Sequence, residues 1–208
     1  MLIVVSDLAA AAREIEARHG LASIEGGRHP GWGTANRIIP LGESYLELLT
    51  VVDESEAAQS PFGRWVGAVH PKLAQPLGWA VRTHQLDDVA RRLGLTVDAG
   101  SRTGRDGKLV RWRLAGIEQA SAEPTLPFFI EWANGTSLPG RAPATHRAGA
   151  LQIAKVQLNG DADRLTGWLG GHRLPIAVRP GAPAVASILL RGAAGEIALD
   201  ARSFKSDL

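Results

Sequence analysis

Two glutamates stand where apolar strands would otherwise run unbroken. In "SYLELLTVV" (Ser44–Val52) Glu47 is enclosed by leucines, and in "PFFIEW" (Pro127–Trp132) Glu131 sits among aromatic and aliphatic residues. An ionised carboxylate placed in apolar surroundings is costly, so a buried one is hydrogen-bonded, paired or bound to a metal. Such a group can also act as a general base when burial lifts its pKa. The plain alternative is an internal ion pair, with Arg37 as partner for Glu47 and Arg111 or Arg113 as partner for Glu131.

Composition narrows the chemistry further. The chain has no cysteine, which removes thiolate catalysis, disulfides and Cys-based zinc sites and leaves His, Asp and Glu as metal ligands. A formal charge of +2 over 208 residues, without a long run of like charge or a basic aromatic strand, gives no basis for nucleic-acid binding. The opening "MLIVVSDLAAAAREIE" has no basic region before its apolar run, and no stretch approaches the ~20 apolar residues of a membrane span. A cytoplasmic location without membrane contact is expected. The 22.0 kDa chain is large enough to bury a real core as one domain or as fused modules.

The elements that must position the acids follow a repeated plan. A short apolar run, a helix with a 3.6-residue stripe and a stop glycine recur three times, with the glycines at 20, 94 and 170, a repeat of roughly 75 residues. Ser6 and Asp161 are the expected caps of the first and third helices. Strand-like runs follow each helix, so the unit reads as β-α-β-β-β and the fold class as α+β, repeated βαβββ modules with helices on one face of each sheet. The expected division is module 1 over 1–52, a helical connector over 53–76, module 2 over 77–133, a loop over 134–149, and a third, related module over 150–208. Within the connector, Ser60–Pro61 predicts a capped short helix burying Phe62, Trp65, Val66 and Val69. A turn is expected at Gly104–Gly107.

Alternation along the strands puts Tyr45, Glu47 and Leu49 on one face, and Phe129, Glu131 and Ala133 on one face. If the wholly apolar faces pack on the helices, both glutamates emerge on the concave side. Two modules related by a pseudo-twofold axis would then aim them into one shared cavity, as a cup-shaped sheet.

With "GGRHPGWGTANRIIPLG" ahead of "YLELL", and "FFIEW" closing the second module, almost the whole chain resembles the vicinal oxygen chelate superfamily, in its glyoxalase-like branch. The resemblance implies a divalent metal (Zn, Ni, Mn or Fe) held by side chains of the first and last strands of each module. Glu47 and Glu131 match the last-strand ligands. The superfamily's first-strand His has no match at Met1 or at Gly78–Trp79, and His29, in the glycine-rich "GGRHPGWGT" loop, is the substitute metal ligand or substrate contact. Glu47 and Glu131 are therefore the expected catalytic pair, and His29, Trp32 and Arg113 the expected substrate contacts. Arg113 would grip a carboxylate or phosphate. His84 and His146 are weaker candidates; His19, His70 and His172 read as helix-end or loop residues, and Glu196 as exposed.

Two functions follow from the resemblance. One is a metal-dependent lyase, isomerase or dioxygenase acting on a small oxygen-bearing substrate. The other is a metal-independent protein that binds or sequesters a small molecule, as bleomycin-resistance-like members do, with Trp32, Trp79 and Trp112 of the six tryptophans lining the cup. A small-molecule ligand and a second copy of the chain are the expected partners, and the third module would cover the cup or build a dimer.

Overall fold

The computed structural model describes residues 1–69, 75–103, 107 and 109–204, the side chain of Phe204 excepted, so His70 and Gly104 lie outside the described residues. The first unit runs β1 (Leu2–Val4), α1 (Leu8–His19), β2 (Ile24–His29), β3 (Thr34–Leu41) and β4 (Ser44–Val51). Asp7, one residue after the expected Ser6, caps α1 by accepting from the Ala10 amide at 2.7 Å. Gly20 ends the helix at φ 68°, a left-handed conformation that glycine adopts without a Cβ penalty.

The connector folds into α2 (Glu54–Ala57) and α3 (Pro61–Gly67), the latter capped by Ser60 Oγ on the Gly63 amide, with Pro61 in its first turn. Next come β5 (Gln75–Gly78) and β6 (Ala80–Arg82), separated by Trp79 alone. The second unit continues through α4 (Leu86–Leu93), β7 (Val97–Thr103), β8 (Leu109–Ala115), α5 (Ile117–Ala122) and β9 (Phe128–Trp132). The third comprises β10 (Leu151–Asn159), α6 (Ala162–Leu169), β11 (Ile176–Arg179), β12 (Ala184–Gly192) and β13 (Gly195–Asp200). Asp161 caps α6 as expected.

The strands form three sheets, ordered β2-β3-β4-β1-β5, β6-β9-β8-β7 and β11-β10-β12-β13. In the first two units the last strand lies parallel to the first, β4 beside β1 and β9 beside β6. The third unit repeats the order of elements but not this pairing: α6 returns the chain directly beside β10, so β11 runs parallel to it and β13 forms the far edge.

The first two sheets wrap around a common space. β5 pairs with β1 and continues through Trp79 into β6, so a nearly unbroken extended segment carries the chain from one sheet into the other. On the opposite side the edge strands β2 and β7 approach each other. Gly27 makes the approach possible: a Cβ there would fall 2.8 Å from the Thr103 carbonyl oxygen, and its φ is 141°. The Arg102 guanidinium donates to the Gly26 carbonyl across the same seam.

Helix α1 covers the outer face of the first sheet through Ala12 and Ile15, packed with Ile39, Leu46 and Leu48, while α4 covers the second through Leu86, Val89 and Ala90. The third sheet adds Leu151, Ile188, Leu190 and Leu199 to the first of these cores and Val156, Leu158 and Val185 to the second. Between the sheets, α3 inserts Phe62, Trp65 and Val66.

Candidate functional site

The space enclosed by the sheets is a chamber of about 840 Å³, within the range that holds small organic ligands. Trp32, Phe62, Trp79, Trp112, Phe128 and Trp132 supply aromatic wall. The polar lining includes His29, Asn36, Tyr45, Glu47, Arg82 and Arg102. The third unit closes part of the opening with Ile153, Val156 and the stretch His172 to Ile176.

Glu47 reaches the chamber as strand alternation demands. Leu46 and Leu48 point to the α1 side, and Tyr45 and Glu47 line the cavity. Ile38 lies opposite Glu47 in the register, and Asn36, two residues along β3 on the same face, donates from Nδ2 to Glu47 Oε1 at 2.5 Å. Asn36 fits there because Gly26 has no side chain: a Cβ on Gly26 would fall 1.8 Å from Asn36 Oδ1. Arg37, the sequence's candidate partner, instead holds Ser23, with Nε 3.0 Å from its hydroxyl. Burial pushes the Glu47 carboxyl pKa up, against the Asn36 hydrogen bond and the positive charges of the terminal amino group and Arg102, which act the other way. The Met1 amino group donates to the Tyr45 carbonyl at 3.1 Å, and burial pushes it down to about 6 despite the nearby Glu47.

His29 closes β2 just before the tight Pro30–Gly33 turn that also presents Trp32. The imidazole is only 3% exposed, with Nδ1 and the Thr34 hydroxyl hydrogen-bonded at 2.9 Å and Nε2 3.9 Å from Glu47 Oε1. Burial, reinforced by the Arg102 charge, depresses its pKa to about 4, so the ring is neutral at pH 7 and its contact with Glu47 is not an ion pair. Its ring lies 5.8 Å from Trp32 and 5.9 Å from Trp112, and Trp32 stands 4.9 Å from Phe62. Gly100 lets this cluster close up, since a Cβ there would meet Trp112 Nε1 at 2.4 Å and Trp32 Cη2 at 2.7 Å.

Glu131 is not in the chamber. Phe128, Ile130 and Trp132 face the cavity, whereas Phe129 joins the α4 core and Glu131 lies on that same outer side. Arg113, its register neighbour on β8, donates to it through Nε at 3.1 Å and also grips Asp87 of α4 at 2.9 and 3.1 Å. The expected convergence of the two acids, and Arg113 as a substrate contact, are therefore corrected. Register supplies the reason: Leu2 stands opposite Glu47 and Ala80 opposite Phe128, so the place corresponding to Glu47 is Phe128, and Glu131, an odd number of residues on, faces away. The assumption that the more apolar face packs on the helices fails because the cavity wall is itself apolar.

The donor set for a metal is correspondingly incomplete. Glu47 and His29 adjoin each other, Glu131 is on the far side of its sheet, and among the described residues no group of three or more His, Asp or Glu is placed to hold an ion. The ligand trio Glu47, Glu131 and His29 does not form.

His146, a weaker candidate, is structural: its Nδ1 accepts the Ala22 amide at 3.0 Å, so the proton is on Nε2, which donates to the Pro40 carbonyl at 2.7 Å. His84 is exposed ahead of α4, and Glu196 is an exposed partner of Arg191 at 2.7 Å. Asn36, Phe62, Arg102 and His172 line the chamber without having been singled out as site residues. Asn36 was within reach of sequence reasoning, two residues before the position opposite Glu47; Arg102 was not, because nothing local in "VDAGSRT" says which edge β7 meets.

Among the described residues no helix is long and apolar enough to cross a membrane. The fold is shared with a solved structure. A hypothetical protein from Staphylococcus aureus matches with a TM-score of 0.70 at 14% identity, over 91% of this chain and 88% of its own. Methylmalonyl-CoA epimerase from Mycobacterium tuberculosis matches at a TM-score of 0.42 and 18% identity, over 63% of this chain and 83% of its own. No curated protein matches the chain. The model of the glyoxalase-like domain matches residues 1–173, reaching from β1 through α6 to the chamber-lining His172 and Arg173. The chain belongs to the glyoxalase-like domain family.

Proposed function

We propose that the chain binds a ring-bearing, largely apolar small molecule inside the chamber without the help of a metal ion. The observation that carries this reading is the aromatic wall around a buried acid: Glu47 has Asn36 and a neutral His29 beside it, and among the described residues no group of three or more acids and histidines completes a cation site. Rigid rings supply large contact area at little entropic cost, and a few placed polar groups fix orientation. Trp32 and Trp112 lie at the contact surface, so ligand entry changes intrinsic fluorescence. Chelator-treated protein titrated with a panel of aromatic compounds should show saturable quenching. Binding that appears only after Ni, Zn, Mn or Fe(II) is restored would overturn the reading and favour the metal-dependent lyase, isomerase or dioxygenase.

A second reading, chemistry at Glu47, is favoured by the placing of its carboxyl in the chamber wall, where burial shifts its pKa upward, the direction a general base needs. It requires that a carbon acid bound in the chamber exchange its proton with D2O at a rate abolished by Glu47→Gln. Binding without exchange leaves the first reading alone.

A further inference from the structure

We infer that the chamber selects anionic ring compounds, with Arg102 as the group that receives the ligand's carboxylate or similar oxyanion. This inference rests on the binding reading above and names the ligand class for the same site.

Arg102 comes from β7 and lines the chamber while only part of its donor capacity is used. One nitrogen, Nη1, donates to the Gly26 carbonyl, and among the described residues no carboxylate pairs with it. A guanidinium carries five N–H donors, so a partly buried one with no carboxylate in hydrogen-bond reach, though its charge is felt by Glu47, retains unsatisfied donors. Of the other cations of the lining, Arg82 and Arg173 are exposed, and burial pushes the Met1 amino group down to about 6. Arg82 pairs with Glu43 at 3.1 Å and Arg141 shares the same carboxylate at 2.8 Å, so Arg82 is held by an exposed ion pair that Arg102 lacks. Arg173 is exposed at the part of the opening formed by the third unit. His29 is neutral, and Glu47 is engaged by Asn36 Nδ2 at 2.5 Å.

The competing ligand class is a cation, attracted by Glu47 and the faces of Trp32 and Trp112. Those rings stand 5.7 Å apart and pack on each other and on His29 and Phe62, so part of their surface is already spent. An ammonium there would also meet the Arg102 charge at low dielectric, where repulsion is large.

Three probes of one shape test the inference: 2-naphthoate, 2-naphthalenemethanol and 2-naphthylmethylammonium, each titrated calorimetrically into the chelator-treated full chain. The expected order is carboxylate first, by about 10- to 100-fold over the alcohol, as for a hydrogen bond to a charged group, and ammonium last. Arg102→Gln should erase the advantage of the carboxylate and leave the alcohol's affinity in place. Because Arg102 also ties β7 to β2, thermal unfolding is run in parallel, and Arg102→Lys, which keeps the charge, should retain a reduced preference. In the wild type, raised salt should weaken naphthoate and spare the alcohol. Ammonium binding equal to or tighter than carboxylate overturns the inference in the wild type alone, whatever the variants do. So does equal weakening of all three probes by a folded Arg102→Gln protein. Alcohol binding with no carboxylate preference ends this inference and leaves the chamber reading standing; no binding of any probe ends both.

Discussion

His29 should make the stability of the protein fall steeply on mild acidification. The imidazole has an ordinary pKa near 6.5 when the chain is unfolded and about 4 when it is buried against Trp32, Phe62 and Trp112 with the Arg102 charge nearby. Between these values the unfolded chain binds a proton that the folded chain refuses, so stability rises with pH across that window. The contribution is complete above pH 6.5 and is lost as the pH falls through about 4. At about 1.4 kcal/mol per pH unit, the displacement is worth about 3 kcal/mol, or roughly 10 °C in Tm for a chain of this size. Glu47, 3.9 Å away and displaced upward, contributes in the opposite sense over overlapping pH, so the wild-type profile alone is a sum. The clean quantity is the difference between wild type and His29→Gln in urea unfolding at pH 7.5 and pH 4, which should change by about 3 kcal/mol. The imidazole carbon resonance of His29 should titrate near 4 in the folded protein. A folded-state midpoint of 6 or above, or a difference that does not move with pH, would refute the picture of a dry, neutral imidazole.

Glu47→Gln should raise Tm at pH 8, by about 2–4 °C for each kcal/mol recovered, because a group with raised folded pKa loses stability as the pH climbs from its unfolded value towards its folded one. The gain should vanish near pH 4, where the acid is protonated folded and unfolded alike; a gain independent of pH would point to packing instead. Glu131→Gln should leave ligand affinity unchanged and cost no more than about 1 kcal/mol, since its Arg113 partner is 42% exposed and also holds Asp87; affinity lost with the fold intact would contradict its placement outside the chamber. Gly100→Ala should destabilise by about 1–3 kcal/mol through overpacking against Trp112 and Trp32, and shift tryptophan emission. An unchanged spectrum would mean that the two indoles do not pack as described.

The repeat was legible because its signals are local. Stop glycines at 20 and 94 do adopt left-handed φ values of 68° and 65°, and Ser60 and Asp161 cap their helices. Glu47 was legible for the same reason: Leu46 and Leu48 bury on one side and leave one direction for the acid. Glu131 was misassigned because alternation separates two faces without saying which is inner, and both faces of β9 are apolar. The pairing of β11 beside β10 was likewise hidden, since the order of elements is the same for either strand arrangement. Arg102 and the third unit's share of the wall depend on contacts between residues far apart in sequence, which no periodicity encodes.

The third sheet packs on the outer cores of both preceding units, joining Leu190 and Leu199 to the α1 layer and Leu158 and Val185 to the α4 layer. It thus acts as a common back plate. Cutting the chain after residue 149 would bare two greasy patches at once, so the excised front part should aggregate rather than persist as a smaller soluble unit. The intact chain should melt in one calorimetric peak, because none of its parts can let go without stripping another of its cover.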